Sequence, residues 1–238
     1  MTTRPDLASL RKEVLEANLA IAERGLAKFT FGNASAIHRS SGLVVIKPSG
    51  VPYWQLKASD LVVTDLSGTV VEGTLRPSSD LMTHLVLYRA FAAIGGVVHT
   101  HSHYATVWAQ SGQDLPCLGT THADYFHGAI PVTASLDAAA IATDYEANTG
   151  HAIVQRLGNQ DPMTMPAVLV ASHASFCWGT TVTAAVEVAA LLEEVAEMAY
   201  HTRTLRPDIA PVASELLDRH FLRKHGSAAT YGQDDASR

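Results

Sequence analysis

Three histidines recur at every second position in "GGVVHTHSHYATVWAQ", residues 95–110, directly after an apolar run: His99, His101 and His103. A neutral imidazole offers a lone pair to a cation, and near pH 7 most free histidine is neutral. On a strand, positions i and i+2 point to one face, roughly 6–7 Å apart along the chain. Two imidazoles leaning together from that spacing can share one metal ion at about 2.0–2.1 Å. His99 and His101 are therefore a candidate ligand pair. His103 has the same parity, but "SHYATVWAQ" turns helical after Ser102, which takes His103 out of the set. His173 ends the apolar run "AVLVA" and is the candidate third nitrogen, because strand ends of one sheet often converge on a site. Asp80, at a predicted helix start, is the candidate carboxylate to complete the shell. Standing alone, it reads as an N-terminal helix residue favoured by the macrodipole rather than as a ligand.

The elements that must position these groups are legible around them. Leu7, Leu10, Val14, Leu15, Leu19 and Ala22 recur at helical spacing, with Gly25 placed for a C-cap. "FTFGNASAIH" and "SGLVVIKPSG" predict strands, and "LVVTDLSGTVVEG" predicts a hairpin turning at Asp65–Gly68. "RPSSDLMTHLVLYRAF" changes to helical period, with Ser78 or Ser79 as cap and Leu81, Leu85, Leu87, Tyr88 and Phe91 as the apolar residues. "VVHTH" predicts a short buried strand, and the helix after it closes at Gly112. "AVLVASH" and "SFCWG" predict two more strands, residues 180–204 a long helix, and "PVASELLDRHFLRKHG" a final helix before a polar tail. Strands come in runs with some strand–helix alternation. The expected class is α/β, a central mixed sheet covered by helices on both faces, in one domain over residues 1–238.

Bulk composition narrows the function classes. The chain has 238 residues, 47% of them hydrophobic, enough for a sizeable core. A net charge of -6 gives no support to nucleic acid as a partner, and an anionic substrate needs a local positive pocket. Cys117 and Cys177 form no CxxC, which excludes a thiolate zinc site and argues against a disulfide framework. The start "MTTRPDLASLRKEVLEANLA" has no apolar signal core, and no window approaches the ~18 apolar residues of a membrane span. The expectation is a soluble protein of a reducing cytoplasm.

Four segments carry a family resemblance. "GNASAIHRSSGLVVIKPSGVPY", "EGTLRPSSDLMTH", "IGGVVHTHSHYATVWAQSGQDLPCLGTTHADYFHG" and "LLDRHFLRKHGSAATYGQ" resemble the L-ribulose-5-phosphate 4-epimerase branch of the class II aldolases, from about residue 10 to Gln233. HTH with a distant His is shared with the aldolases, whereas "TTHADYFHG" and the C-terminal "KHG…YGQ" are specific to the epimerase branch. The resemblance implies a zinc site of Asp80, His99, His101 and His173. It implies an acid/base pair, Asp124 and Tyr231, and substrate contacts from Gly32, Asn33, Ser49, Gly50, Ser78 and Ser79. It also implies a homotetramer with active sites between subunits, so that Tyr231 serves a neighbour. Asp80 stands where the related aldolases use Glu, which favours the epimerase.

The implied reaction inverts C4 of a pentulose phosphate, a carbon with no acidic C–H. Breaking C3–C4 sends the electrons into the C2 carbonyl, and re-forming the bond after the aldehyde rotates inverts C4. Such a route needs a Lewis acid for the enediolate oxygens, two proton-transfer groups on opposite faces, and a phosphate grip. Lys47 with Ser49 and Gly50 in "KPSG", and Ser78 with Ser79 at a helix start, supply the grip on physical grounds. His122, His127, His220, Arg223 and Lys224 lie near the acid/base groups in sequence and are further candidates for the pocket. Manganese suits the N/O ligand set as well as zinc. Two alternatives stand beside the epimerase: an aldolase acting on L-fuculose or L-rhamnulose 1-phosphate, and a non-catalytic interaction domain on the same scaffold.

Overall fold

The β-branched runs assemble into one seven-stranded sheet in a computed structural model that describes residues 6–226 and residue 229. The strands are β1 (Asn33–His38), β2 (Leu43–Ile46), β3 (Val62–Thr64), β4 (Val70–Glu72), β5 (Gly96–Thr100), β6 (Ala167–Leu169) and β7 (Ser175–Gly179). Their order is β4-β3-β2-β1-β5-β7-β6. Every ladder between these strands is antiparallel. Among the described residues the sheet is mixed only through an isolated parallel bridge, Val132 to Leu169, at its edge. The helices are α1 (Ala8–Glu23), α2 (Leu81–Ala90), α3 (His103–Ser111), α4 (Thr120–Ala123), α5 (Ala138–Thr143), α6 (Tyr145–Leu157), α7 (Val182–Leu205) and α8 (Ser214–His225). None is long and apolar enough to cross a membrane.

Helices cover both faces, as the sequence predicts. On one face α7 packs on β5 and β7, with α1 and α3 beside it. A paired glycine makes that approach possible. Gly96 faces Gly179 across the β5–β7 ladder, and a Cβ at Gly96 would sit 2.2 Å from the Val182 Cα. On the other face lies α2, backed by α6. Its Leu81, Leu85, Leu87 and Tyr88 are buried, each contributing about 1.5–3 kcal/mol of apolar burial. Phe91, just past the helix, meets Trp178 of β7 at 5.4 Å between ring centroids.

Two details differ from the sequence reading. In α1 the buried stripe is Val14, Ala17, Asn18 and Ile21, following a buried Leu7, so Leu10 and Leu19 flank it. Asn18 is there because Ala34 extends beyond the end of β2, and its backbone N–H and carbonyl are met by the Asn18 amide at 2.9 and 3.1 Å. Neither serine caps α2. Asp80 occupies the N-cap position without a capping bond, and the Ser78 hydroxyl instead accepts from the Asp80 N–H at 3.3 Å.

Candidate metal centre and substrate cavity

His99 stands in the middle of a cross-strand row. Its register partners are Asn33 on β1 and Phe176 on β7, so these three share the face covered by α2. His101 follows two residues on, just past the strand end, on the same side. His173 sits in the tight turn joining β6 to β7, closed by Val170 N–H to Ala174 O at 2.7 Å. Ser172, at φ 58°, holds the left-handed conformation that the turn requires. The result is three imidazoles with centroids 4.9 Å apart in each pair. One ring nitrogen from each converges, all within 4.8 Å of one another. His103 opens α3 and is exposed, outside the group, as the sequence reading expects.

Hydrogen bonding and burial prepare these nitrogens to coordinate. The His99 Nδ1 lies 2.9 Å from the Ser175 carbonyl, which only accepts, so Nδ1 carries a hydrogen and Nε2 is the nitrogen left to coordinate. That Nε2 faces the Nε2 of His101 at 3.1 Å. Burial, and then the neighbouring His99, pushes the His101 pKa down. Burial, reinforced by His99 and His101, pushes His173 down to about 4. Both rings are thus neutral near pH 7, the state a ligand requires. Burial alone would raise the Asp80 carboxyl, but His99, His84 and the Asn33 hydrogen bond together hold it below its ordinary value. Asp80 lies outside the converging group: its Oδ2 accepts from Asn33 Nδ2 at 2.7 Å and stands 3.4 Å from the Ser78 hydroxyl. Neutral imidazoles beside an ionised carboxylate form a donor set that fits a divalent ion of the zinc type.

The triad forms one end of a cavity of about 410 Å³. Gly32, Asn33, Lys47, Ser49, Gly50, Ser78, Ser79 and Asp80 line the rest of its predicted wall, so the two phosphate-grip segments meet in space. They are laced together by Ser78 N–H to Lys47 O and Ser49 N–H to Arg76 O, both 3.0 Å. Gly32 is required sterically: its φ is +76°, and a Cβ would lie 2.7 Å from the His99 carbonyl. Lys47 is 2% exposed and no carboxylate among the described residues pairs with it. Its ammonium lies 4.9 Å from the centre of the Tyr53 ring and reaches only the Pro48 carbonyl, at 3.4 Å. Burial pushes its pKa down to about 8. This buried cation is the local positive field that the net charge withholds.

Sequence reasoning missed Tyr145 and Glu146, which also line the cavity. They open α6, a helix the sequence reading left unassigned, and the Tyr145 hydroxyl lies 3.5 Å from His173 Nδ1. Asp124 is not among the lining residues. It ends α4 and is clamped by α8: both its oxygens accept from Arg223 Nη2 at 2.9 Å, and Oδ1 lies 3.0 Å from His220 Nδ1. Lys224 approaches to 3.5 Å. Burial would raise the Asp124 carboxyl, but Arg223 and His220 outweigh it and hold it low. His220, Arg223 and Lys224 therefore surround Asp124 and are absent from the cavity of their own chain. His122 is buried on Phe126, its Nε2 donating to Gly128 O at 2.8 Å, and His127 pairs with Asp218 at 2.7 Å. Neither lines the cavity. Tyr231 lies outside the described residues.

A family model for the class II aldolase and adducin N-terminal domain matches residues 12–200. The chain belongs to this class II aldolase family. Among solved structures, an L-fuculose 1-phosphate aldolase shares 26% identity, covering 89% of this chain and 94% of its own, with a TM-score of 0.76. YgbL from Klebsiella pneumoniae, whose assignment is left open among aldolase, epimerase and decarboxylase, shares 24% over 91% and 99% of the two chains, with a TM-score of 0.73. The L-fuculose-1-phosphate aldolase of Thermus thermophilus shares 24% over 86% and 100%, with a TM-score of 0.67. The last two likenesses speak for the fold. Class II aldolases use a divalent metal, typically zinc, and among the described residues His99, His101 and His173 form a group that could hold one.

Proposed function

We propose that this class II aldolase-family protein is a metal-dependent L-ribulose-5-phosphate 4-epimerase. It interconverts L-ribulose 5-phosphate and D-xylulose 5-phosphate by cleaving and re-forming the C3–C4 bond. The observation that carries the reading is the cavity itself, which joins an imidazole triad to a buried, carboxylate-free lysine within a volume suited to a small phosphorylated sugar. A divalent ion held by His99, His101 and His173, zinc or alternatively manganese, supplies Lewis-acid stabilisation of negative charge on the C2 and C3 oxygens when bound. Asp80, oriented by Asn33, is the fourth ligand. Lys47, the hydroxyls of Ser49, Ser78 and Ser79, and the backbone at Gly32 and Gly50 grip the phosphate and keep the aldehyde fragment from escaping.

Asp124 and Tyr231 carry the protons. One accepts the C4 hydroxyl proton as C3–C4 breaks, and the other returns a proton to the aldehyde oxygen on the opposite face as the bond re-forms. Tyr231 comes from a neighbouring subunit of a homotetramer with active sites between subunits, an arrangement consistent with the location of Asp124 outside the cavity of its own chain. The enzyme is cytoplasmic, consistent with two buried, unpaired cysteines.

A second reading, cleavage of L-fuculose 1-phosphate, is favoured by the 26% identity to an aldolase of that substrate. A coupled assay separates the two. Conversion of L-ribulose 5-phosphate to D-xylulose 5-phosphate supports the epimerase. Release of dihydroxyacetone phosphate from L-fuculose 1-phosphate, with no pentulose turnover, replaces it with the aldolase.

A further inference from the structure

His84 is a polar ring in a place where a leucine would pack. It lies one turn after Asp80 on α2, between the helix and the sheet, with no exposed surface. Burying an imidazole costs free energy unless its polar atoms are met. One is met: Nδ1 lies 2.7 Å from the Ser35 hydroxyl, which lies 2.8 Å from the Tyr88 hydroxyl. Tyr88 in turn donates to the Ser35 carbonyl at 2.9 Å. The other, Nε2, is buried with no hydrogen-bond partner. The ring meets Phe176 edge to face, with centroids 5.9 Å apart and planes at 76°. Phe176 then lies flat on His99, at 4.2 Å and 17°.

We propose that His84 is a positioning residue for the triad, fixing the tilt of the His99 ring through Phe176. The Ser175 carbonyl sets the rotation of His99 within its plane. Phe176 sets the tilt of that plane, and Phe176 holds its rotamer because the Ser35–Tyr88 pair pins His84 against it. A floppy apolar chain at this position fills the volume without fixing the angle. Outer partners of this kind tune metal affinity by orienting ligands that the ion touches.

The inference rests on the reading of the triad as a metal centre, and its test separates the two. Zinc affinity of the purified full chain is measured by chelator competition, and ligand geometry by the visible spectrum of the cobalt-substituted protein. His84→Leu is expected to weaken zinc binding about tenfold and to shift the cobalt bands. His84→Asn, which can still bond Ser35, recovers most of the affinity. Val86→Ala, a core truncation on the same helix, lowers the thermal midpoint without moving affinity. Wild-type affinity and spectrum in His84→Leu overturn the proposal, as does an equal affinity loss in Val86→Ala. If His84→Leu does not fold, Phe176→Leu takes its place with the same expected loss, and unchanged affinity there overturns the proposal. A wild-type chain that binds neither metal removes the metal centre and this inference together.

Discussion

Lys47→Met separates two effects of one buried charge, and they have opposite signs. The fall of the ammonium pKa from 10.5 to about 8 corresponds to about 3 kcal/mol against the charged form in the folded protein. Below pH 8 the lysine is protonated in both the folded and the unfolded chain, so this full penalty weighs on stability at pH 7. Between about pH 8 and 10.5 the unfolded chain binds more protons, and the penalty fades as pH rises. Methionine keeps the stem and removes the charge. The free variant is therefore expected to gain up to about 3 kcal/mol over wild type at pH 7, and almost nothing near pH 10.5. Urea titrations at the two pH values read this directly. On the proposed function, the same substitution also removes a charge-assisted bond to the phosphate ester. Such bonds contribute about 1.5–3 kcal/mol, so affinity for L-ribulose 5-phosphate is expected to fall about 10- to 100-fold by calorimetry. A variant less stable than wild type at pH 7 refutes the desolvation argument. A variant that binds the phosphate ester as tightly as wild type refutes the anion site.

Three further outcomes are expected. His99→Asn takes away a converging nitrogen at the middle of the triad, so elemental analysis should find no bound metal and the coupled assay no turnover. Full activity in a metal-free His99→Asn protein is incompatible with the assignment. Tyr231→Phe should fold and assemble normally but slow epimerisation in at least one direction, and unchanged rates in both directions remove it from the mechanism. Gly32→Ala forces a Cβ into the His99 carbonyl at a left-handed position, and should destabilise the protein by about 1–3 kcal/mol. A thermal midpoint equal to wild type contradicts the close approach.

The sequence carried the candidate metal ligands further than most of the site because spacing and strand geometry are both local. His99 and His101 share a face by parity alone, and the run "AVLVA" announced the turn that delivers His173. The antiparallel pairing was less legible, because strands buried on both faces lose the alternation that marks a one-sided sheet. Helices α5 and α6 escaped detection for other reasons: α5 has only six residues and buries none of them, and α6 has a broken pattern. Gly150, Asn148 and Thr149 interrupt the apolar period, and Gly150 is there because a Cβ would press within 2.7 Å of Val86 on α2. Tyr145 and Glu146 escaped with them. Lys47 was legible as a cation near two serines, but its near-complete burial belongs to the packing of Tyr53 above it. Nothing in the sequence singled out His84, since nothing local in "LMTHLVLY" tells which sheet position it will face.

The central place of β5 between β1 and β7 has a consequence for biosynthesis. As the ribosome delivers the chain, the first half brings Asn33, the serine pair and two imidazoles together around a bare strand edge. That edge closes only when β7 emerges, 76 residues after His99, carrying the carbonyl and the aromatic wall that complete its surroundings. On the proposed metal site, ion capture is thus a late event in the life of the nascent polypeptide. A product truncated before the β6–β7 turn would keep Asp80, His99 and His101 but lack His173 and the Ser175 carbonyl that fixes the His99 ring.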